Sequence, residues 1–218
     1  MLLEDIKGLF KQDMSEFHSI KGQLLGAAGE KAIKTILVSS CYAKEGKTTA
    51  AVSIAYALSE EIDYKVLLID GNFRAPILHK LFGIHRAPGL SDIFDDDYES
   101  PLRFKALDDD SLVVIPNGTE LSNPLKVLSD DKFKKSLHSL SEEFDYVIVD
   151  GTSVSGFSDV FVSAKYFDAT ILVIECERTR WEVVQEVKER LERVGGNILG
   201  IVLNKRIYYI PKAIYGKV

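Results

Sequence analysis

At 218 residues, with 46% apolar and 28% charged side chains, the chain is long enough for one α/β domain with a substantial core. A net charge of −6 argues against a nucleic-acid-binding surface. No apolar run approaches the roughly 20 residues needed to cross a bilayer, so no direct membrane insertion is expected. The two cysteines, Cys41 and Cys176, lie far apart, make no metal or redox spacing, and fit a reduced cytoplasmic interior.

In chain order, residues 1–32 form an expected N-terminal helical extension, loosened by Gly22, Gly26 and Gly29, and residues 33–218 form one nucleotide-binding domain. Strands are predicted at 36–40, 65–70, 112–116, 145–150, 169–174 and 198–203, several of them apolar almost throughout, as strands covered on both faces should be. Helices are predicted at about 48–60, 76–82, 123–141, 157–165 and 179–194. This alternation specifies a mostly parallel sheet with helices on both faces. The acidic stretches Asp92–Glu99 and Asp108–Asp110 read as solvated loops without metal-ligand geometry.

The junction between the first strand and its helix carries the chemistry. The apolar run Ile36-Leu-Val meets a polar loop ending Gly46-Lys47-Thr48-Thr49, and a small-residue helical pattern, Ala50–Leu58, follows. Successive N–H groups at such a helix start surround a polyphosphate, and the helix dipole favours its charge. Lys44, Glu45, Gly46, Lys47, Thr48 and Thr49 are therefore expected around the phosphates. Lys47 supplies charge to the β/γ-phosphates, and the Thr48 hydroxyl helps hold Mg²⁺. Cys41 occupies the place where the general pattern has its first glycine.

Two more acids fall where such a site needs them. Val66-Leu-Leu-Ile-Asp70 and Tyr146-Val-Ile-Val-Asp150 are apolar strands ending in aspartate. Ligands bind beyond the carboxyl ends of parallel strands, so Asp70 and Asp150 should converge on the loop, one holding Mg²⁺ and the other orienting or deprotonating a nucleophile. The alternative is that each aspartate only caps the turn or helix that follows it. Together these features specify a three-layer P-loop NTPase fold.

The motifs also follow one another in an order that resembles the cytoplasmic domain of the bacterial tyrosine kinases of capsule and exopolysaccharide production. Asp70-Gly-Asn-Phe-Arg74-Ala-Pro76 is similar to the family's second Walker motif, and Phe144–Asp150 to its Walker B strand. Val114–Gly118, Asn123–Leu128 and Leu199–Lys205 are similar to its later landmarks. The resemblance implies a Mg·ATP-dependent protein-tyrosine autokinase acting within a homo-oligomeric ring. A membrane-anchored polysaccharide co-polymerase would activate it and bring the cytoplasmic protein to the membrane. It assigns Lys47 and Thr48 to phosphates and metal, Asp70 and Asp150 to metal and base chemistry, Arg74 to catalysis, and Asn204 to the adenine of ATP or ADP. A surface ion pair is the competing reading for Arg74.

Several positions depart from the family. Asn72 replaces a second aspartate and can neither act as a base nor add negative charge. Ala43-Lys44 replaces Pro-Gly, and a left-handed Lys44 would cost on the order of 1 kcal/mol. After Asp150 the chain has Gly-Thr-Ser, and the ring-forming helix positions read Ser15, His18 and Lys21. The tail offers Tyr208, Tyr209 and Tyr215 as acceptors, or as packed terminal residues. A nucleotide-binding scaffold with weak transfer chemistry stays open, as does a Min/Par-type positioning ATPase. Tyr42, where that second group carries a lysine, counts against the latter.

Overall fold

The expected strands assemble into one sheet in the computed structural model, which describes residues 15–26, 33–94, 103–105 and 111–206. The strands are β1 (Thr35–Ser40), β2 (Val66–Asp70), β3 (Phe104–Lys105), β4 (Leu112–Ile115), β5 (Tyr146–Ser153), β6 (Ala169–Glu175) and β7 (Ile198–Asn204), in the order β3-β4-β2-β5-β1-β6-β7. All neighbours are parallel except β3, which pairs antiparallel to β4 at the edge. The two-residue β3 is too short to leave a periodic signal in the sequence.

Side chains alternate across the sheet and feed two cores. Leu37, Leu67, Ile69, Val147 and Val149 meet Phe133, Leu137 and Leu140 of α5 (Asp131–Glu143) and Val184, Val187 and Leu191 of α7 (Trp181–Arg193). Ile36, Val38, Leu68, Ile148 and Ile171 meet Ala51, Ile54, Ala55 and Leu58 of α2 (Lys47–Ser59) on the other face. Small residues along α2 let it lie close to the strands. The N-terminal helix α1 (Ser15–Gly26) packs on this second core through Phe17, Ile20 and Leu24. The remainder of the predicted extension lies outside the described residues.

The remaining helices are short: α3 (Leu78–Phe82), α4 (Pro124–Leu128) and α6 (Asp159–Ser163). The single helix expected at 123–141 is two. Asp130 adopts an extended conformation and its carboxylate accepts from the Lys132 N–H at 2.8 Å, so a new helix starts there. Asn123, with Pro124 behind it, caps α4 in the same way.

Candidate nucleotide site

The loop between β1 and α2 opens at the carboxyl end of the sheet, where Asp70 ends β2 in register with Asp150 of β5, a strand that runs on to Ser153. Gly46 is the first cap of α2 in the left-handed conformation, φ 94°, and a Cβ there would overlap the Asn204 amide. Lys44 is left-handed as well, φ 68°, so the loop carries the strain that its sequence implied. Gly71 is required by close approach: a Cβ would stand 2.6 Å from Val149 Cγ1.

Lys47, Thr48 and Asp150 form the centre. Asp150 is fully buried; its Oδ2 accepts from Thr48 Oγ1 at 2.6 Å and its Oδ1 lies 3.4 Å from Lys47 Nζ. Burial pushes the Asp150 carboxyl above the usual range, with Lys47 and Thr48 opposing. Hard oxygens from a hydroxyl and a carboxylate fit Mg²⁺, which takes one or two protein carboxylates and completes its shell with phosphate and water. Among the described residues there is no cluster of three His, Cys, Asp or Glu that could cage a metal by itself.

Asp70 is placed differently. Its Oδ2 accepts from the N–H groups of Ile77 and Leu78, both at 2.9 Å, and its Oδ1 from Asn72 N–H at 3.2 Å. It thus closes the N-terminus of α3 from a distance, as the capping alternative described. Burial, and then the charge of Asp150, push its carboxyl up to about 7, against those three N–H groups. Asn72 is turned into the following loop, where its amide donates to Ala75 O and accepts from Ala75 N–H. Arg74 makes a two-pronged pair with Asp159 at 3.0 and 3.1 Å and lies over the Phe157 ring. That is the ion-pair reading of this residue, with Asp159 as the buried partner.

Two assigned nucleotide contacts are engaged elsewhere. The Glu45 carboxylate is wholly buried and accepts from Tyr42 N–H at 2.7 Å, from Glu175 N–H and from the Thr179 hydroxyl. Asn204 Nδ2 donates to Glu45 O at 2.8 Å, and among the described residues no donor meets its Oδ1. Lys44 is exposed, with its carbonyl held by Lys205 Nζ, and Thr49 is exposed in the first turn of α2. Asn117, which the sequence reading did not single out for a role, donates from its buried amide to Asp70 O at 3.1 Å and braces the end of β2. On α1, His18 lies 3.9 Å from Glu60 and Lys21 2.6 Å from Glu61, so two of the three ring-helix positions face acids just past the end of α2 in the same chain. Tyr208, Tyr209 and Tyr215 lie outside the described residues.

A six-strand parallel array with a Gly-Lys-Thr loop and aspartates paired on two adjacent strands defines the P-loop NTPase fold. No family model matches the chain. It is, however, 30% identical over 209 residues to the tyrosine-protein kinase CpsD of Streptococcus pneumoniae, covering 95% of this chain and 91% of that one. The chain belongs to the bacterial tyrosine-kinase family. A putative tyrosine-protein kinase of Staphylococcus aureus, CapB, is 29% identical over 89% of this chain and 86% of its own. Among solved structures, the VpsO kinase domain matches with a TM-score of 0.77 and 31% identity over 87% of this chain and 93% of that one. The kinase domain of the Escherichia coli tyrosine kinase ETK gives 0.82 and 25% over 90% and 78%, and the chimerical protein CapA2B2 gives 0.79 and 25% over 88% and 84%. More distantly, an ATP complex of a Cyanothece McdA variant matches at 0.63 and 26% over 78% and 70%.

Proposed function

We propose that this chain binds Mg·ATP and transfers the γ-phosphoryl group to tyrosine, as an autokinase of machinery that makes and exports exopolysaccharide or capsule. The observation that carries this reading is the contact of Lys47 and Thr48 with the buried Asp150 at the mouth of the phosphate loop. A P-loop lysine, a metal-binding hydroxyl and a strand-end acid are the parts that phosphoryl transfer by positioning and charge neutralisation requires. Thr48 and Asp150 would hold Mg²⁺ with the phosphates, and Asp70 would shape the wall beside them. Asn204, through Oδ1, is the residue assigned to adenine. Kinship to CpsD and CapB supports the tyrosine substrate, and the McdA–ATP complex supports the nucleotide.

Tyr208, Tyr209 and Tyr215 are the proposed acceptors, phosphorylated between copies of a homo-oligomer. No helix among the described residues is long and apolar enough to cross a membrane. A membrane-anchored co-polymerase is the proposed activator and would hold the protein at the cytoplasmic face. A fused protein, CapA2B2, among the structural neighbours supports a partner segment at this domain. Phosphosite mapping after incubation with Mg·ATP, with and without the cytoplasmic tail of such a partner, tests the proposal. It expects phosphotyrosine that rises with the tail, and fails if none forms in either case.

One observation favours a second reading, a nucleotide-binding scaffold with little transfer. Asn72 stands where the family has an acid, and both ends of its amide serve the loop at Ala75. Nucleotide binding without phosphotyrosine would establish it.

A further inference from the structure

We infer that Glu45 is a positioning residue that braces the phosphate loop against the turn after β6, so that the loop's nucleotide-binding shape and that turn are coupled. The inference rests on the nucleotide site proposed above and extends it beyond the loop.

Glu45 is a fully buried carboxylate with no cation in direct contact among the described residues. Each of its partners is a donor. Tyr42 N–H binds Oε2 from within the loop, while Oε1 is bound by the N–H of Glu175 at the end of β6 and by the Thr179 hydroxyl in the turn that follows. A buried acid costs solvation that only such donors offset, so the arrangement holds only while loop and turn stay together. The surrounding bonds tie the same two regions. Asn204 donates to Glu45 O, while Lys205 Nζ bridges Lys44 O at 2.8 Å and Glu175 Oε2 at 3.1 Å. Arg178 holds that Glu175 oxygen from the turn itself at 2.7 Å. The phosphate loop is thus fastened at Lys44 and Glu45 to the ends of β6 and β7, and Lys44 is kept left-handed by neighbours rather than by its own preference.

Chemistry restricts what can replace Glu45. With donors on both oxygens, the site needs an acceptor at each end. A glutamine would satisfy one end and point its NH₂ at an N–H on the other.

Full-length wild type, Glu45→Gln, Thr179→Ala and Thr179→Ser are compared by binding of a fluorescent Mg·ADP analogue and by amide hydrogen exchange. We expect Glu45→Gln and Thr179→Ala to weaken binding, about tenfold for the first, with Thr179→Ser restoring wild-type affinity. Nucleotide should slow exchange in the 175–180 turn of wild type, and this slowing should vanish in Thr179→Ala. Failure of wild type to bind the analogue would overturn the proposed function itself. Wild-type binding that leaves exchange at 175–180 unchanged, or that survives Glu45→Gln and Thr179→Ala at full strength, would overturn the brace. If Glu45→Gln does not fold, the wild-type exchange and the Thr179 pair decide alone.

Discussion

Asp70 and Asp150 are register partners on neighbouring parallel strands, yet their carboxylates serve different hosts. Asp150 faces Lys47 and Thr48, whereas Asp70 is taken up by backbone N–H groups of Asn72, Ile77 and Leu78. One acid belongs to the phosphate loop and the other to the wall that encloses it. Both are buried beside each other, a concentration of negative charge that a divalent cation would offset.

Lys47→Ala should weaken Mg·ATP binding by roughly ten- to hundredfold, the worth of charge-assisted phosphate contacts. It should also lower the melting temperature of the nucleotide-free chain, because Asp150 loses its cation and is left with the Thr48 hydroxyl. Calorimetric titration and thermal melting read the two effects separately. Unchanged affinity would remove the loop from the nucleotide site.

The Asp70 carboxyl gives a dependence on pH. Its folded value of about 7 lies above the ordinary 3.8, so between these values the folded chain binds more proton than the unfolded chain. Stability from this group is fully present below about pH 4 and declines as pH rises toward about 7, by at most about 4 kcal/mol. Asp70→Asn should abolish this decline. Urea melts at about pH 5 and about pH 8 would show a variant-minus-wild-type difference that grows with pH. A difference that shrinks with pH would contradict the environment assigned to Asp70.

Cys41 and Cys176 should differ as thiols. Burial, aided by the Glu45 charge, pushes the Cys41 thiol up to about 12, and its side chain is sealed under the loop. At mildly alkaline pH the folded chain should therefore react with a thiol reagent at Cys176 first, and with both cysteines only after denaturation. Rapid native labelling of Cys41, located by peptide mapping, would show that the loop opens.

Arg74→Ala should act through stability. Asp159 is left buried without its two-pronged partner, at a cost of about 1–2 kcal/mol given the partial exposure of Arg74. Melting should fall while nucleotide affinity is kept. Full stability combined with lost transfer would instead make Arg74 catalytic.

The sheet was legible because parallel strands covered on both faces carry short apolar runs, as in Ile36–Val38, Val66–Ile69, Tyr146–Val149 and Ile171–Ile174. The break at Ser129–Asp130 was missed because helical periodicity runs on across a residue whose side chain starts a second helix. Lys47 and Thr48 were legible from the strand–loop–helix context, and Asp150 from the apolar strand that leads to it. Asp159, Asn117 and the role of Glu45 were not. Their partners lie 85, 47 and 134 residues away with no sequence pattern that pairs the two members, and an acid inside a polar loop carries no sign that it is buried. Arg74 and Asp70 show the limit most clearly, because a motif names a position while the structure decides which way its side chain turns.

Transfer of phosphate from Mg·ATP to tyrosine, quantified by mass spectrometry in wild type and Lys47→Ala with the activating tail present, is the most direct measurement. Phosphotyrosine should form in wild type, disappear when Mg²⁺ is chelated, and fall to background in Lys47→Ala. Equal phosphotyrosine in the two proteins, or none in wild type that binds nucleotide, would contradict a phosphoryl-transfer site built from Lys47, Thr48 and Asp150.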